Sequence, residues 1–254
     1  MVRVGIELWS ATKDLFPSRR HLRMVMGLVT LATIVSISEL LLARLFSDLI
    51  LPSEPRSSSN LVVLSIVFLG VFGLLRIINF IREYYRLNVF EKALSEDNSN
   101  RFANSWKWAT AMELTALLTL VGRYVFISIL LFYFSVPFGF CNLILSFVLF
   151  KTFALQMNRQ YVEQRKFRKL QLEKKPVTNA QKVKTRILAG ESISLISAFG
   201  MLLMFGALIL FSTKDVIEPT IAFTLFIALR MIGQVYAGFS SGLMRYVRAR
   251  VYCE

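Results

Sequence analysis

The chain has 254 residues, of which 55% are hydrophobic, and 22 of them are phenylalanine. A soluble domain of this length would expose too much of that apolar surface to remain in solution. Apolar stretches of about 20 residues recur along the chain, and they are apolar on all sides, whereas the strands of a membrane β-barrel alternate. The sequence therefore predicts an all-α, polytopic membrane protein.

The formal net charge is +14, which in a soluble protein would suggest a nucleic-acid partner. Here the cations lie beside the apolar stretches, which points instead to membrane topology and to anionic lipid headgroups. No nucleic-acid-binding motif is present in the sequence. We therefore expect membrane lipids, and no nucleic acid, among the partners.

Residues that carry catalysis or bind metals are scarce. His21 is the single histidine, and neither Cys141 nor Cys253 has a metal-ligand spacing, so no metal site and no disulfide between them is expected. Ser38 and Glu39 form no plausible dyad because they lack a histidine or lysine partner. The sequence thus predicts no catalytic residue, no cofactor and no enzyme activity in this chain.

The N-terminal segment is amphipathic. Val4, Leu8 and Leu15 fall near one helical face, and Pro17 follows them. We expect residues 1–17 to form an elbow helix that lies in the membrane interface.

Six stretches beyond this segment are long enough to span a bilayer. The predicted spans are about 24–51, 61–82, 109–134, 140–157, 187–211 and 220–244. Two larger loops, 83–108 and 158–186, separate the second span from the third and the fourth from the fifth. Together these parts predict a single transmembrane domain over residues 1–254.

The stretch from Asn158 to Arg186 is densely basic. Under the positive-inside rule it stays in the cytoplasm, as do both chain termini. Contact with anionic lipid or with a partner is expected for a subset of its cations: Arg165, Lys166, Arg168, Lys169, Lys174 and Lys175. The alternative is a solvated basic loop without a further task.

Polar side chains interrupt the predicted spans, and such groups usually face a cavity or each other. Five are candidates for lining a polar central cavity: Glu39, Arg44, Arg123, Arg230 and Gln234. Pairing between helices is the alternative for these. For Arg76, Glu113 and Asp48 we expect helix-to-helix ion pairing or snorkelling towards headgroups. Glu191 is expected to cap a helix start.

Glycines in the spans are expected to let helices approach closely. The residues concerned are Gly70, Gly73, Gly200, Gly206, Gly233 and Gly238.

Two segments carry a family resemblance. They are LFPSRRHLR running into MVMGLVTLATIVSISELLLARLFSDLI, and the last span FIALRMIGQVYAGFSSGLMRYVRARVY. They resemble the first and sixth helices of the membrane domain of ABC exporters. The resemblance is to the branch that includes lipid-linked oligosaccharide flippases, and it extends over most of the chain in the order and spacing of its spans.

Two features depart from that family. No segment matches the phosphate-binding G-x-x-x-x-G-K-[ST] loop, and the sequence stops at Glu254 without an ATPase domain. The two larger loops also fall short of the roughly 17 residues each way that are needed to reach about 25 Å below a membrane at 1.5 Å per residue.

The resemblance implies the membrane subunit of a transporter in a bacterial inner membrane, acting as a homodimer or higher homo-oligomer. It implies alternating access for an amphipathic substrate, a lipid-linked sugar or a peptide, with ATP and magnesium used only by a separate ABC ATPase. One alternative is an ATPase-independent channel, scaffold or regulatory partner that keeps an exporter-like helical fold. Another is a fragment of a longer transporter, since nothing in the sequence marks Glu254 as a natural end.

Overall fold

Helices form nearly all of the computed structural model, which describes residues 2–16, 18–50, 58–94, 101–174, 179–214, 216–217 and 219–253. Within these ranges there is no strand. The helices are α1 Val2–Leu15, α2 Arg19–Ile50, α3 Ser58–Leu94, α4 Arg101–Phe134, α5 Val136–Leu172, α6 Asn179–Thr213 and α7 Pro219–Cys253. The predicted all-α class is therefore confirmed.

Helices α2 to α7 have the length and composition of membrane spans. They contain 32 to 37 residues each, which corresponds to about 48–55 Å at 1.5 Å per residue. Six helices in the described part of the chain are long and apolar enough to cross a membrane. This is the architecture of an integral membrane protein. Helix α1, with 14 residues, is too short to span one.

The two stretches expected as loops are largely helical, which corrects their predicted extent. Helix α3 continues to Leu94 and α4 begins at Arg101, while α5 continues to Leu172 and α6 begins at Asn179. The cause is composition, since the Glu, Lys, Arg, Gln and Leu residues that end an apolar run are also strong helix formers. Hydropathy thus marks where a lipid-compatible segment ends but does not mark the end of the helix.

A single residue joins α4 to α5. Ser135 has extended backbone angles (φ −157°, ψ 107°), and Pro137 occupies the first turn of α5, where its missing N–H costs nothing. Gly139 is buried there, and a Cβ atom on it would lie 2.6 Å from the ring of Phe132. The two helices therefore form a tight antiparallel hairpin.

Helix α7 lies at the centre of the bundle and packs against α2, α4, α5 and α6. Its residues Val235, Tyr236, Leu243, Tyr246 and Val247 are fully buried. A large hydrophobic cluster joins these residues to α4, α5 and α6. The core of the molecule is thus built around its last described helix.

Helix α3 lies at the edge. It packs along α2 and touches α4 only sparsely. Val63, Ile66, Leu69, Ile77 and Phe80 are each more than half exposed. An apolar surface of this kind is compatible with lipid and not with water.

The two chain ends meet at one end of the bundle, which we call the terminal end. Helix α1 packs there with Leu8 and Ala11 buried in the main cluster, and Phe16 stacks on Phe90 at 6.1 Å between ring centroids. Nη2 of Arg250 lies 3.2 Å from Oδ2 of Asp14. Leu8 and Ala11 of α1 therefore pack against the rest of the bundle.

Close helix approach occurs at some of the predicted glycines and not at others. A Cβ on Gly200 would lie 2.8 Å from Leu145, and one on Gly238 would lie 3.2 Å from Leu120, whereas Gly233 has only ordinary contact distances. The prediction is wrong for three glycines, which have open space beside them: Gly70, Gly73 and Gly206. The closest unpredicted approach is at Gly122, where a Cβ would lie 2.5 Å from Oγ1 of Thr33.

Candidate functional site

Polar residues form an exposed line along one side of α7, which is interrupted by the exposed Ala237. The line consists of Arg230, Gln234, Ser241, Arg245 and Arg248, and we call it the α7 polar face. The spacings of 4, 7, 4 and 3 residues place all five on one side of a helix with 3.6 residues per turn. From Arg230 to Arg248 the line runs about 27 Å, close to the thickness of a bilayer core.

The opposite side of α7 explains why this face points outward. Met231, Ile232 and Val235 are buried and continue the apolar side that fills the core. Burying that side fixes the rotation of the helix, so the polar side is left on the surface of the bundle.

The predicted cavity residues divide into three groups. Arg230 and Gln234 lie one turn apart on the α7 polar face. Arg123 is half-buried on α4 and does not belong to that face. The side chains of Glu39 and Arg44, like that of Asp48, lie outside the described residues.

A groove borders the polar face between α6 and α7 and has a volume of about 350 Å³. Glu191 and Ser194 of α6 face Ser241 and Arg245 of α7 across it. The hydroxyl of Ser240 donates to the carbonyl oxygen of Gly190 at 3.1 Å, which holds the two helices together at its floor. The groove thus offers a carboxylate, a guanidinium group and hydroxyls.

Glu191 does not start a helix. Helix α6 begins at Asn179, so Glu191 lies more than three turns inside it. The expected capping role is therefore wrong, and the exposed carboxylate is a component of the α6/α7 groove.

Arginines in the last turns of α7 contact α4 at the terminal end of the bundle. Nε of Arg245 lies 2.8 Å from Oε1 of Glu113 on α4, which confirms the expected helix-to-helix ion pair of Glu113. The guanidinium of Arg248 lies over the ring of Trp106 at 5.6 Å from its centroid. Arg76, by contrast, is exposed on α3 and lies over the ring of Phe72 on its own helix.

The residues of the basic stretch differ in their surroundings. Arg168 donates to the backbone carbonyl of Val251 in the last turn of α7, where carbonyl groups have no partner within the helix. Four other predicted contact residues are exposed on or just after α5: Arg165, Lys166, Lys169 and Lys174. Lys175 lies outside the described residues.

The centre of the bundle is filled with aromatic rings. Phe150 contacts Tyr124 edge-on at 5.1 Å and Phe239 at 5.7 Å, and Phe153 stacks on Phe239 at 5.8 Å. Tyr236 lies in the same cluster and is fully buried. These rings occupy the space between α4, α5 and α7.

A buried polar network lies beside these rings. The sequence left open whether Tyr236 lines a pore or bonds across helices, and it did not predict the partners. The amide of Asn142 donates to the hydroxyl of Ser128 at 3.2 Å, and the hydroxyls of Ser146 and Tyr236 lie 2.7 Å apart. The available signal was the spacing of Asn142 and Ser146, which are four residues apart in an otherwise apolar run. Such groups lock helix register in an apolar medium.

Comparison of the chain with known protein families and with characterised proteins yields no match.

Proposed function

We propose that the chain is the membrane subunit of an exporter-like transporter, and that the α7 polar face lines its translocation path. The observation that carries this proposal is the exposure of Arg230 and Gln234 on a membrane-length helix. A charged side chain at the middle of a bilayer costs about 2.5–3.5 kcal/mol on insertion scales. The polar surface formed by Arg230 and Gln234 is therefore expected to contact water or protein and not lipid.

In this proposal a second copy of the chain forms the other side of the translocation path. Because aromatic rings fill the centre of the bundle, the six spans of one chain leave little room for a path inside it. Two copies with their α7 polar faces opposed would enclose a polar space between them. Arg230, Gln234 and Ser241 would then face a substrate with a charged or hydroxylated part and an apolar part, such as a lipid-linked sugar or a peptide.

The helical extensions support coupling to an ATPase outside these residues. Helix α5 has 37 residues and is about 55 Å long, which exceeds a bilayer core of about 30 Å by some 25 Å. This length replaces the shorter reach expected from the loop 158–186 alone. The connections at 95–100 and 175–178 would contact that ATPase. The exposed lysines Lys166 and Lys169 near the terminal end support a cytoplasmic position for both termini, as in a bacterial inner membrane.

Cysteine accessibility tests the proposed path. In a background with Cys141→Ser and Cys253→Ser, single cysteines replace Arg230, Gln234 or Ser241 in native membranes. We expect each to react with a membrane-impermeant methanethiosulfonate reagent and to cross-link two copies. A cysteine in place of Leu202, which is 66% exposed on α6, serves as the lipid-facing control and stays unreactive. Equal reactivity at all four positions, or at none, would contradict the proposal.

Co-purification tests the partner. The intact chain, isolated in mild detergent, is expected to carry a stoichiometric ABC ATPase that is lost when residues 95–100 or 175–178 are replaced. A pure homo-oligomer without nucleotide-stimulated activity after reconstitution would contradict the transporter proposal.

The filled core favours a second candidate function. A bundle that completes its own core around α7 has the construction of a self-sufficient scaffold, channel subunit or regulatory partner. Under this alternative the α7 polar face binds a different membrane protein. Cross-linking of Gln234→Cys to another polypeptide, in place of a second copy, would support it.

A further inference from the structure

A second groove, separate from the α7 polar face, lies between α2, α3 and α4. It has a volume of about 260 Å³. Leu28 and Ala32 line it from α2, Ala116 and Leu120 from α4, and the guanidinium-bearing residues Arg82 and Arg86 from α3. Thr115 and Thr119 also line it from α4, so the groove combines mainly apolar walls with two hydroxyls and two cations.

The groove exists because α3 packs unevenly. It follows α2 closely and touches α4 only sparsely, which leaves a gap beside the apolar outer surface of α3. Arg86 lies eight residues before the end of α3 at Leu94, or about 12 Å. The cations thus belong to the half of the bundle near the terminal end, just beyond the most apolar part of the helix.

The charges at the groove are only partly balanced. Nη2 of Arg82 lies 2.7 Å from Oε1 of Glu83, and Nη2 of Arg86 lies 2.6 Å from Oε2 of the same carboxylate. Two guanidinium groups therefore share one carboxylate, and the three side chains carry a net charge of +1. Nε of Arg86 is buried and has no hydrogen-bond partner in the described part of the chain.

A buried guanidinium N–H without an acceptor is unfavourable. An anion bound in the groove would supply that acceptor and balance the excess positive charge. Phosphate suits it because a guanidinium group donates to two phosphate oxygens at once. The volume is slightly below the roughly 300–1,000 Å³ of a site that encloses a whole small molecule. It fits a headgroup, while the exposed apolar surface of α3 at Ile77, Phe80 and Ile81 is available to acyl chains outside.

We propose that the groove between α2, α3 and α4 binds one anionic phospholipid from the leaflet next to the two chain termini. The phosphate accepts hydrogen bonds from Arg86, with Arg82 beside it, and the chains follow the outer surface of α3. This site is distinct from the exposed cations of α5, and it does not depend on a transport function.

Native mass spectrometry of the intact, detergent-purified chain tests the site, with phosphatidylglycerol as the probe and phosphatidylcholine as the neutral comparison. We expect one phosphatidylglycerol to remain bound per chain. Arg86→Gln should weaken its binding by about 10- to 100-fold, the range typical of a lost hydrogen bond to a charged group. Arg76→Gln is the matched control, since it removes the same charge from an exposed position on the same helix, and its binding should not change.

A second variant keeps the charges and fills the space. Ala116→Phe should abolish binding although Arg82, Glu83 and Arg86 are unchanged, so a folding defect of Arg86→Gln does not decide the matter. The proposal is overturned if Arg76→Gln weakens binding as much as Arg86→Gln, or if Ala116→Phe binds normally. Displacement of the lipid by excess inorganic phosphate would also overturn it, because it would identify a free-anion site.

Discussion

Arg245, near the end of α7, donates from Nε to Oε1 of Glu113 on α4 at 2.8 Å. The two residues are 132 positions apart in the chain, and their pairing fixes the central helix against its main neighbour. The side chain of Arg245 is 55% exposed and that of Glu113 is 23% exposed. Solvent and headgroups therefore weaken the attraction, and the pair positions the helices more than it stabilises them.

A double-mutant cycle measures that contribution. We expect a coupling energy of about 0.5–1 kcal/mol between Glu113→Gln and Arg245→Gln, the range of exposed pairs. The measurement is the free energy of unfolding in detergent for the two single variants and the double variant. Coupling well above this range would show that the pair is shielded from solvent in the native assembly.

Replacing Gly122 by alanine should destabilise the protein. The added Cβ would lie 2.5 Å from Oγ1 of Thr33, a buried residue whose hydroxyl already donates to the carbonyl of Val29 at 2.9 Å. Because a β-branched side chain has few alternative rotamers, we expect a loss of about 1–3 kcal/mol.

Gly73→Ala is the matched control for this change. Nothing lies within 4 Å of the added atom, so the helix propensity of alanine should stabilise α3 by up to about 1 kcal/mol. Thermal unfolding of both variants in one detergent compares them. A loss at Gly73 equal to that at Gly122 would contradict the assigned packing.

Phe153 should be one of the most sensitive positions in the core. It is 1% exposed and stacks on Phe239 at 5.8 Å. Phe153→Ala is expected to cost about 3–5 kcal/mol, as is usual for a buried ring. Phe147 on the same helix is 63% exposed, so Phe147→Ala should change the free energy of unfolding little. Similar losses at both positions would mean that the outer side of α5 is covered by protein.

The hydroxyl of Tyr236 should contribute through Ser146. Tyr236→Phe removes a buried hydrogen bond of 2.7 Å, while Ser146 keeps its bond to the carbonyl of Asn142 at 2.6 Å. We expect a loss of about 0.5–1.5 kcal/mol. Tyr133→Phe, at a position 79% exposed, is the control and should be neutral in the same unfolding assay.

The spans could be predicted from the sequence because a long apolar run has few alternatives in a membrane protein. Their ends could not, since the charged segment that follows a run such as that of α5 is itself helix-forming and continues to Leu172. The exposure of Arg230 and Gln234 also could not be predicted without the fold. The same spacing fits a helix turned inward, and only the burial of Val235 and Tyr236 selects the rotation.

The buried network could not be predicted for a related reason. Ser128 meets Asn142 only because a single residue, Ser135, joins α4 to α5 and sets their register. A longer connection with the same polar residues would pair them differently.

The central position of α7 has a consequence for biosynthesis. It is the last described helix to leave the ribosome, yet α2, α4, α5 and α6 all pack against it. Until it arrives, Ser146 and the rings of Phe150 and Phe153 lack their partner surface, so the earlier helices enter the membrane as an open assembly. A nascent chain arrested before Pro219 would present that unfilled seam to membrane chaperones and proteases. Packing of this helix therefore closes the hydrophobic core that the earlier helices leave open.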